Sequence, residues 1–174
     1  MTPAPDPQAL WAQLTLFPQL VVITGEIGAG KTSWCAALAR WAQMQGARVS
    51  GLLSVGVFEG SLKRAIDLQD LSTGQTRRLA ARRAQPDPTS PTPNWEFDES
   101  ALRWGDAVLA AAPPCDLLIV DELGPLELLH GAGYQSAFPL IQRQAYRLAC
   151  VVVRPSLVDA FRARAAVSAV YSVG

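Results

Sequence analysis

The chain has 174 residues, of which 49% are hydrophobic, and its 15 basic and 15 acidic side chains give a formal net charge of zero. This length suits a single domain, and the hydrophobic content can fill a core, which excludes wholesale disorder. A net charge of zero argues against a protein that bulk charge holds on nucleic acid, so a nucleic-acid partner is not expected.

The three cysteines, Cys35, Cys115 and Cys150, are far apart, with no CxxC pair and no cluster of histidines. A disulfide framework and a zinc site are therefore not expected, and a reducing cytoplasm is the expected location. No run approaches the roughly 20 apolar residues of a membrane span. The N-terminus has three early prolines and Asp6 but no early basic residue, so it does not read as a secretory signal.

Apolar spacing predicts the elements of the first half of the chain. Short β-branched runs indicate buried strands, and apolar residues three or four positions apart indicate a helix. In chain order we predict a loose proline-rich lead-in over 1–18, a buried strand over 20–24, a helix over 32–45, and strands over 49–58 and 64–71. A turn sequence, Glu59-Gly60-Ser61, separates the last two strands, which predicts a hairpin.

Prolines and capping residues mark the elements of the second half. Four prolines in nine residues predict a loop over 85–93, and Asp98 is a candidate N-cap for a helix that Pro113 ends. The remaining predictions are a buried strand over 117–120, a helix over 136–147 with Pro139 in its first turn, a buried strand over 149–153, a helix from a Ser156-x-x-Asp159 capping box to about 165, and a final strand over 167–173.

Alternation of apolar strands with helices predicts an α/β fold, in which helices cover both faces of a mostly parallel sheet. In such sheets ligands bind outside the carboxyl ends of the strands. Three polar sequences fall at these ends: GEIGAGKT at 25–32, DELGPLE at 121–127, and Arg154-Pro155-Ser156.

The segment 25–32 matches the phosphate-loop pattern G-x-x-x-x-G-K-[ST] without a gap. Its glycines allow positive φ angles, and its amides can form an anion-binding nest at the start of the following helix. Lys31 would lie beside the β- and γ-phosphates, and the Thr32 hydroxyl could bind Mg²⁺. The predicted nucleotide-binding residues are Gly25, Glu26, Ile27, Gly28, Ala29, Gly30, Lys31, Thr32 and Ser33.

The run at 117–120 is followed by two carboxylates, Asp121 and Glu122, where a strand meets solvent. With a phosphate loop in the same chain, Asp121 is predicted to hold Mg²⁺, in part through water, together with Thr32. Glu122 would position a water molecule at the γ-phosphate. Glu122 and Lys31 are thus the candidate catalytic residues.

These two blocks, GEIGAGKTS at 25–33 and DLLIVDELGPLEL at 116–128, resemble the small THEP-type nucleoside-triphosphatases, whose relatives include a cancer-related human NTPase. The resemblance extends to DLSTGQTRRLA at 70–80 and VVVRPSL at 151–157. Two positions depart from the family pattern: Leu126 stands where many members carry Met, and Ala65 stands where we expect Gly.

The resemblance implies a three-layer RecA-like P-loop fold with an added β-hairpin, as one domain over 1–174. It also implies Mg²⁺-dependent hydrolysis of nucleoside triphosphates such as ATP and GTP. It assigns Lys31, Thr32, Asp121 and Glu122 the roles given above and singles out Glu127.

Several arginines have more than one possible role. Arg77, Arg78, Arg82 and Arg83 form a basic cluster that could be a lid over the γ-phosphate, a nucleic-acid contact or a solvated helix face. Arg154 follows a predicted strand, where it could contact the nucleotide or pack on its own helix.

Two other functions use the same motifs. A nucleotide or small-molecule kinase would share the loop and the metal but would need a second pocket for its acceptor, which 74–104 could contain. A nucleotide-binding switch or partner subunit would bind without turnover. Glu122 favours water as the acceptor, and therefore hydrolysis.

Overall fold

Strands and helices alternate along most of the chain in the computed structural model, which describes residues 2–14, 17–90 and 92–174. The elements in chain order are β1 (Thr2–Pro3), α1 (Pro7–Ala12), β2 (Gln19–Thr24), α2 (Lys31–Met44), β3 (Val49–Glu59), β4 (Leu62–Asp70), β5 (Thr76–Arg82), β6 (Trp95–Phe97), α3 (Glu99–Ala110), β7 (Leu117–Leu123), α4 (Pro125–Leu128), α5 (Ala137–Gln142), β8 (Leu148–Val153), a 3₁₀ turn (Pro155–Leu157), α6 (Val158–Arg162) and β9 (Ala169–Ser172). No helix in these ranges is long and apolar enough to cross a membrane.

The described strands form one sheet in the order β1-β9-β2-β8-β7-β3-β4-β5-β6. Neighbours from β1 to β3 run parallel, whereas β3, β4, β5 and β6 pair antiparallel. The predicted α/β fold with a mostly parallel sheet and an added hairpin is confirmed. Ala65, where a glycine was expected, lies buried in β4 opposite Val57 and Ala81, and the hairpin forms around it.

Helices cover both faces of the sheet because its central strands are apolar on both sides. In β2, Val21 and Ile23 belong to a core under α1 and α2, while Leu20 and Val22 belong to a core under α3, α5 and α6. This alternation follows from the period of two along a strand. The result is the predicted three-layer arrangement.

The predicted lead-in over 1–18 is not loose where the structure describes it. Thr2 and Pro3 pair with Tyr171 and Ser172 of β9. Asp6 caps α1 by accepting hydrogen bonds from the backbone N–H groups of the second and third residues after it. The Asp-Pro pair is therefore a helix start, with proline at the first helical position.

Three further predictions differ from the structure. The helix predicted over 136–147 ends at Gln142, because Gln144 adopts a positive φ of 51° that a right-handed helix cannot continue through. The proposed Ser156 capping box is absent: a 3₁₀ turn precedes α6, and no side chain caps that helix. The segment around the arginine cluster is a strand, β5, followed by the short β6, which apolar spacing did not predict.

A bulge explains why β5 was missed. Ile66 pairs with Ala80, but the next pair joins Asp67 to Arg78, so Leu79 has no partner opposite it. Leu79 and Ala80 are both buried although they are adjacent. The period of two that marks a strand is therefore broken within its seven residues.

Candidate functional site

The phosphate loop joins the end of β2 to the start of α2, as predicted. Gly25, Gly28 and Gly30 all have positive φ angles, of 137°, 84° and 93°. At Gly25 a side chain would also force the backbone to shift, because a Cβ atom would lie 2.3 Å from the carbonyl oxygen of Val173. The loop is thus shaped by its own glycines and by the backbone that follows β9.

Lys31 bends back over this loop. Its Nζ donates hydrogen bonds to the carbonyl oxygens of Gly25, at 2.8 Å, and Glu26, at 2.7 Å. Glu26 and Ile27 are exposed, and Ser33 is exposed in the first turn of α2. The fourteen-residue helix therefore begins at a loop that carries one ammonium group held in place by its backbone.

Asp121 is the buried carboxylate of the site. Strand β7 runs on to Leu123, so Asp121 and Glu122 lie within the strand rather than after it. The Asp121 carboxylate accepts a hydrogen bond from the Ser54 N–H at 3.1 Å, and Thr32 lines the same pocket. Burial raises the pKa of Asp121 to about 6, whereas this hydrogen bond, the Thr32 hydroxyl and the charge of Lys63 act in the opposite direction.

Glu122 pairs with Arg154 across neighbouring strand ends. The Nε of Arg154 donates to Oε1 of Glu122 at 2.5 Å, and both side chains are partly exposed. Because β8 lies between β2 and β7, Arg154 lies between the strand ends that carry the phosphate loop and the carboxylates. Of the alternatives for Arg154, the structure favours a place in the site.

Glu127 is buried and holds the turn that follows Glu122. Its carboxylate accepts hydrogen bonds from the N–H groups of Gly124, at 2.8 Å, and Tyr134, at 3.1 Å. Its carbonyl oxygen accepts one from Arg164 at 3.0 Å. Burial raises the pKa of Glu127. This residue, which the family resemblance singled out, therefore fixes the backbone that follows β7.

A pocket lies beside these groups. It is lined by Thr32, Asp121, Glu122 and Arg154, and also by Ser54, Lys63 and Tyr134, which the sequence did not indicate. No local pattern could have found these three, because pairing of β3 with β7 and the packing of the chain after α4 bring them there.

Three of the four arginines in the cluster have partners outside the pocket. Arg78 pairs with Asp67 at 2.5 Å, Arg77 lies over the Trp104 ring at 4.8 Å, and Arg83 donates to the Trp95 carbonyl at 3.2 Å. In the described part of the chain, none of Arg77, Arg78, Arg82 and Arg83 lines the pocket. The structure therefore does not favour a lid over the γ-phosphate. It does not favour a solvated helix face either, because the cluster lies on and after a strand, β5.

The residues present fit a magnesium ion. No group of three or more His, Cys, Asp or Glu side chains gathers within the described ranges, which argues against a cage of protein ligands. Mg²⁺ needs no such cage, since it keeps several waters and takes one or two protein oxygens plus phosphates. Thr32 and Asp121, which carry two suitable oxygens, line the same pocket.

A parallel sheet whose strand β2 leads through a glycine loop into a helix, with carboxylates on β7, defines a P-loop nucleotide-binding protein. A family model described as NTPase matches residues 20–173, and the chain belongs to this NTPase family. The resemblance of the sequence to THEP-type proteins is thereby confirmed.

Relatives and solved structures agree with this assignment. The nucleoside-triphosphatase THEP1 of Methanopyrus kandleri is 31% identical over 115 residues, covering 66% of this chain and 63% of that protein. The THEP1 of Thermococcus kodakarensis is 26% identical over 149 residues, covering 82% and 79%. The chain thus spans less than two thirds of the Methanopyrus protein.

The fold also matches a human cancer-related nucleoside triphosphatase, with a TM-score of 0.64, 21% identity, and coverage of 90% of this chain and 89% of that one. THEP1 from Aquifex aeolicus gives a TM-score of 0.53 with 15% identity, and covers 89% and 90%. At these identities the likeness shows the fold.

Proposed function

We propose that this protein hydrolyses nucleoside triphosphates such as ATP and GTP to the diphosphate and phosphate, using Mg²⁺, in the cytoplasm. The observation that carries the proposal is that Thr32 of the phosphate loop and Asp121 of β7 line the same pocket. The relatives named as nucleoside-triphosphatases support the same reaction. Three free cysteines, all buried, support the location.

The loop would bind the phosphates through its backbone. Amides at the start of α2 and the positive end of the helix dipole favour anions there. Lys31 adds a cation that the Gly25 and Glu26 carbonyls already orient, so little side-chain entropy is lost on binding. The exposed Glu26 need not approach the phosphates.

Thr32 and Asp121 would hold Mg²⁺, which neutralises charge between the β- and γ-phosphates when it is bound. Ser54 supports this arrangement, because its N–H and hydroxyl bind Asp121 at the carboxylate and at the backbone carbonyl, the latter at 2.5 Å. Ser54 therefore positions the strand end rather than contacting the nucleotide.

Glu122 would orient the attacking water. As the water oxygen bonds to the γ-phosphorus, the bond to the bridging oxygen breaks and the diphosphate leaves. The carboxylate accepts a hydrogen bond from the water and fixes its line of approach. Arg154, already paired with Glu122, would bring a positive charge to the oxygens that gain charge in the transition state.

The test is Glu122→Gln, which keeps the size of the side chain and removes its charge. We expect nearly unchanged affinity for ATP and Mg²⁺, measured at equilibrium, and a single-turnover hydrolysis rate lower by roughly 10²–10⁴-fold. Glu96→Gln is the matched control, because Glu96 is an exposed carboxylate on β6 that does not line the pocket.

The other outcomes are informative. Lost binding would make Glu122 a metal-site or structural residue. A hydrolysis rate within threefold of the unmodified protein would mean that a group other than Glu122 orients the attacking water. Binding of ATP without phosphate release by the unmodified protein would support the switch instead.

A further inference from the structure

The phosphate loop lies on one side of β7, and the pocket beside Glu122 extends to the opposite side of this strand. In the sheet, β2 and its loop lie two places from β7, and β3 and β4 follow on the opposite side. The pocket walls come from that opposite side: Ile66 is on β4, Leu79 on β5, Phe97 on β6 and Leu102 on α3. A molecule in this pocket and a nucleotide on the loop would therefore meet at Asp121 and Glu122 from two directions.

The lining suits an organic ligand better than water. Ile66, Leu79, Phe97 and Leu102 make one wall apolar, and orienting one water molecule needs no such wall. Pockets with an apolar wall and few polar groups are typical small-molecule sites.

Lys63 adds a cation at the same place. It lines the pocket, its charge acts on Asp121, and within the described ranges it forms no ion pair. Its ammonium lies over the Trp95 ring at 5.7 Å. A cation here faces the region that a transferring phosphoryl group crosses between the loop and the pocket.

We propose that this pocket binds a small alcohol with an aromatic or aliphatic body, and that the protein transfers the γ-phosphoryl group to its hydroxyl. This rests on the proposed function, since the same bound nucleotide and Glu122 serve both reactions. The alcohol oxygen bonds to the γ-phosphorus, the bond to the bridging oxygen breaks, and the diphosphate leaves with the electron pair. The hydroxyl proton passes to the Glu122 carboxylate and then to solvent. Water in the place of the alcohol gives hydrolysis.

The experiment compares two alcohols as acceptors. The protein is incubated with ATP and Mg²⁺ in the presence of 2-phenylethanol or, at the same concentration, ethanol, and ³¹P NMR measures phosphate and alkyl phosphate. We expect the ratio of phenylethyl phosphate to phosphate to saturate with concentration. It should exceed the ratio for ethanol by at least about tenfold, the discrimination that burial of an apolar group of this size gives.

Substitutions in the pocket test whether it binds the alcohol, as opposed to an unspecific transfer to any alcohol in solution. Leu102→Trp fills the pocket and should lower the phenylethyl phosphate ratio at least about fivefold, toward the ethanol value. Leu129→Trp is the matched control, because Leu129 is exposed and does not line the pocket, and its ratio should match the unmodified protein. Leu102→Gln, which keeps the length of the side chain but makes the wall polar, gives the same test if the tryptophan variant fails to fold.

Each alternative result overturns the proposal. Phosphate release with no phenylethyl phosphate would overturn the transfer and leave the hydrolase standing. Equal ratios for the two alcohols would overturn the binding of the acceptor in this pocket. An unchanged ratio in folded Leu102→Trp and Leu102→Gln would mean that the pocket does not hold the acceptor. If the protein forms neither phosphate nor phosphate ester, both proposals are wrong.

Discussion

The Arg154 guanidinium and the Glu122 carboxylate are held together at 2.5 Å, so each sets the position of the other. We expect Arg154→Gln to lower kcat by about 10²-fold or more with a smaller change in KM, because charge at the γ-phosphate matters most in the transition state. Arg154→Lys should recover part of the loss. Steady-state kinetics would test this, with Arg162→Gln as the control, since Arg162 is an exposed arginine on α6. An unchanged kcat would leave Arg154 with no role in the reaction.

The Tyr134 hydroxyl gives a prediction about stability. Because it is buried without a partner in the described residues, Tyr134→Phe removes a desolvated polar group and leaves the packing unchanged. We expect the free energy of unfolding to stay equal or rise by about 1 kcal/mol. Urea denaturation measures it. A loss above about 1 kcal/mol would show that this hydroxyl is hydrogen-bonded in solution.

For individual residues, the sequence predicted the members of two local motifs, and it gave a nucleotide contact as one of two alternatives for Arg154. The phosphate loop and the Asp121-Glu122 pair are contiguous, and their chemistry can be read from residue type and spacing. Ser54, Lys63 and Tyr134 join the pocket only because distant strands pair. The predicted roles of the motif residues stay predictions until the variants are measured.

Among the elements, the pairing of β3 with β7 depends on Gly51. This residue has a φ of +106°, and a Cβ there would lie 1.9 Å from the carbonyl oxygen of Ile119. Gly51→Ala should therefore lower the free energy of unfolding by about 3 kcal/mol or more, since the backbone of β3 or of β7 must shift. Gly60→Ala is the comparison, because its φ is +60° with open space around it, and about 1 kcal/mol is expected.

Thermal or urea unfolding of the two variants would measure the difference. Equal losses at both positions would mean that the close approach of β3 and β7 does not limit the sheet.

Elements with a regular pattern were predictable and the others were not. Strands such as β2 and β8 have uninterrupted apolar runs, and α3 begins at an N-cap, Asp98, whose carboxylate accepts hydrogen bonds from Ser100 and Ala101. By contrast, a bulge hides β5, and α1 is short and contributes one buried residue, Leu10, to the core. Short elements that depend on tertiary contacts show no clear hydrophobic period in the sequence.

For the whole molecule, nucleotide binding should raise thermal stability by mass action. A non-hydrolysable ATP analogue with Mg²⁺ at about 100 times its Kd adds about 2.7 kcal/mol, or about 5–10 °C in Tm for a domain of this size. Lys31→Ala should lose most of this shift without a large change in its own Tm. Arg40→Ala, an exposed cation on the same helix, should keep it. A full shift in Lys31→Ala would remove Lys31 from phosphate binding.

The pairing of β2 with β9 has a consequence for how the protein is made. Leu20 and Ser168, which are hydrogen-bonded, lie 148 positions apart, and the backbone at Val173 closes the wall behind Gly25. At a synthesis rate of about 5–20 residues per second, β9 is made roughly 7–30 s after the phosphate loop that it helps to shape. During that interval the Val173 backbone does not yet close the loop at Gly25, so we expect ATP to stabilise the nascent chain less than the complete fold. Local structure or chaperones must then supply more of the protection of the growing chain.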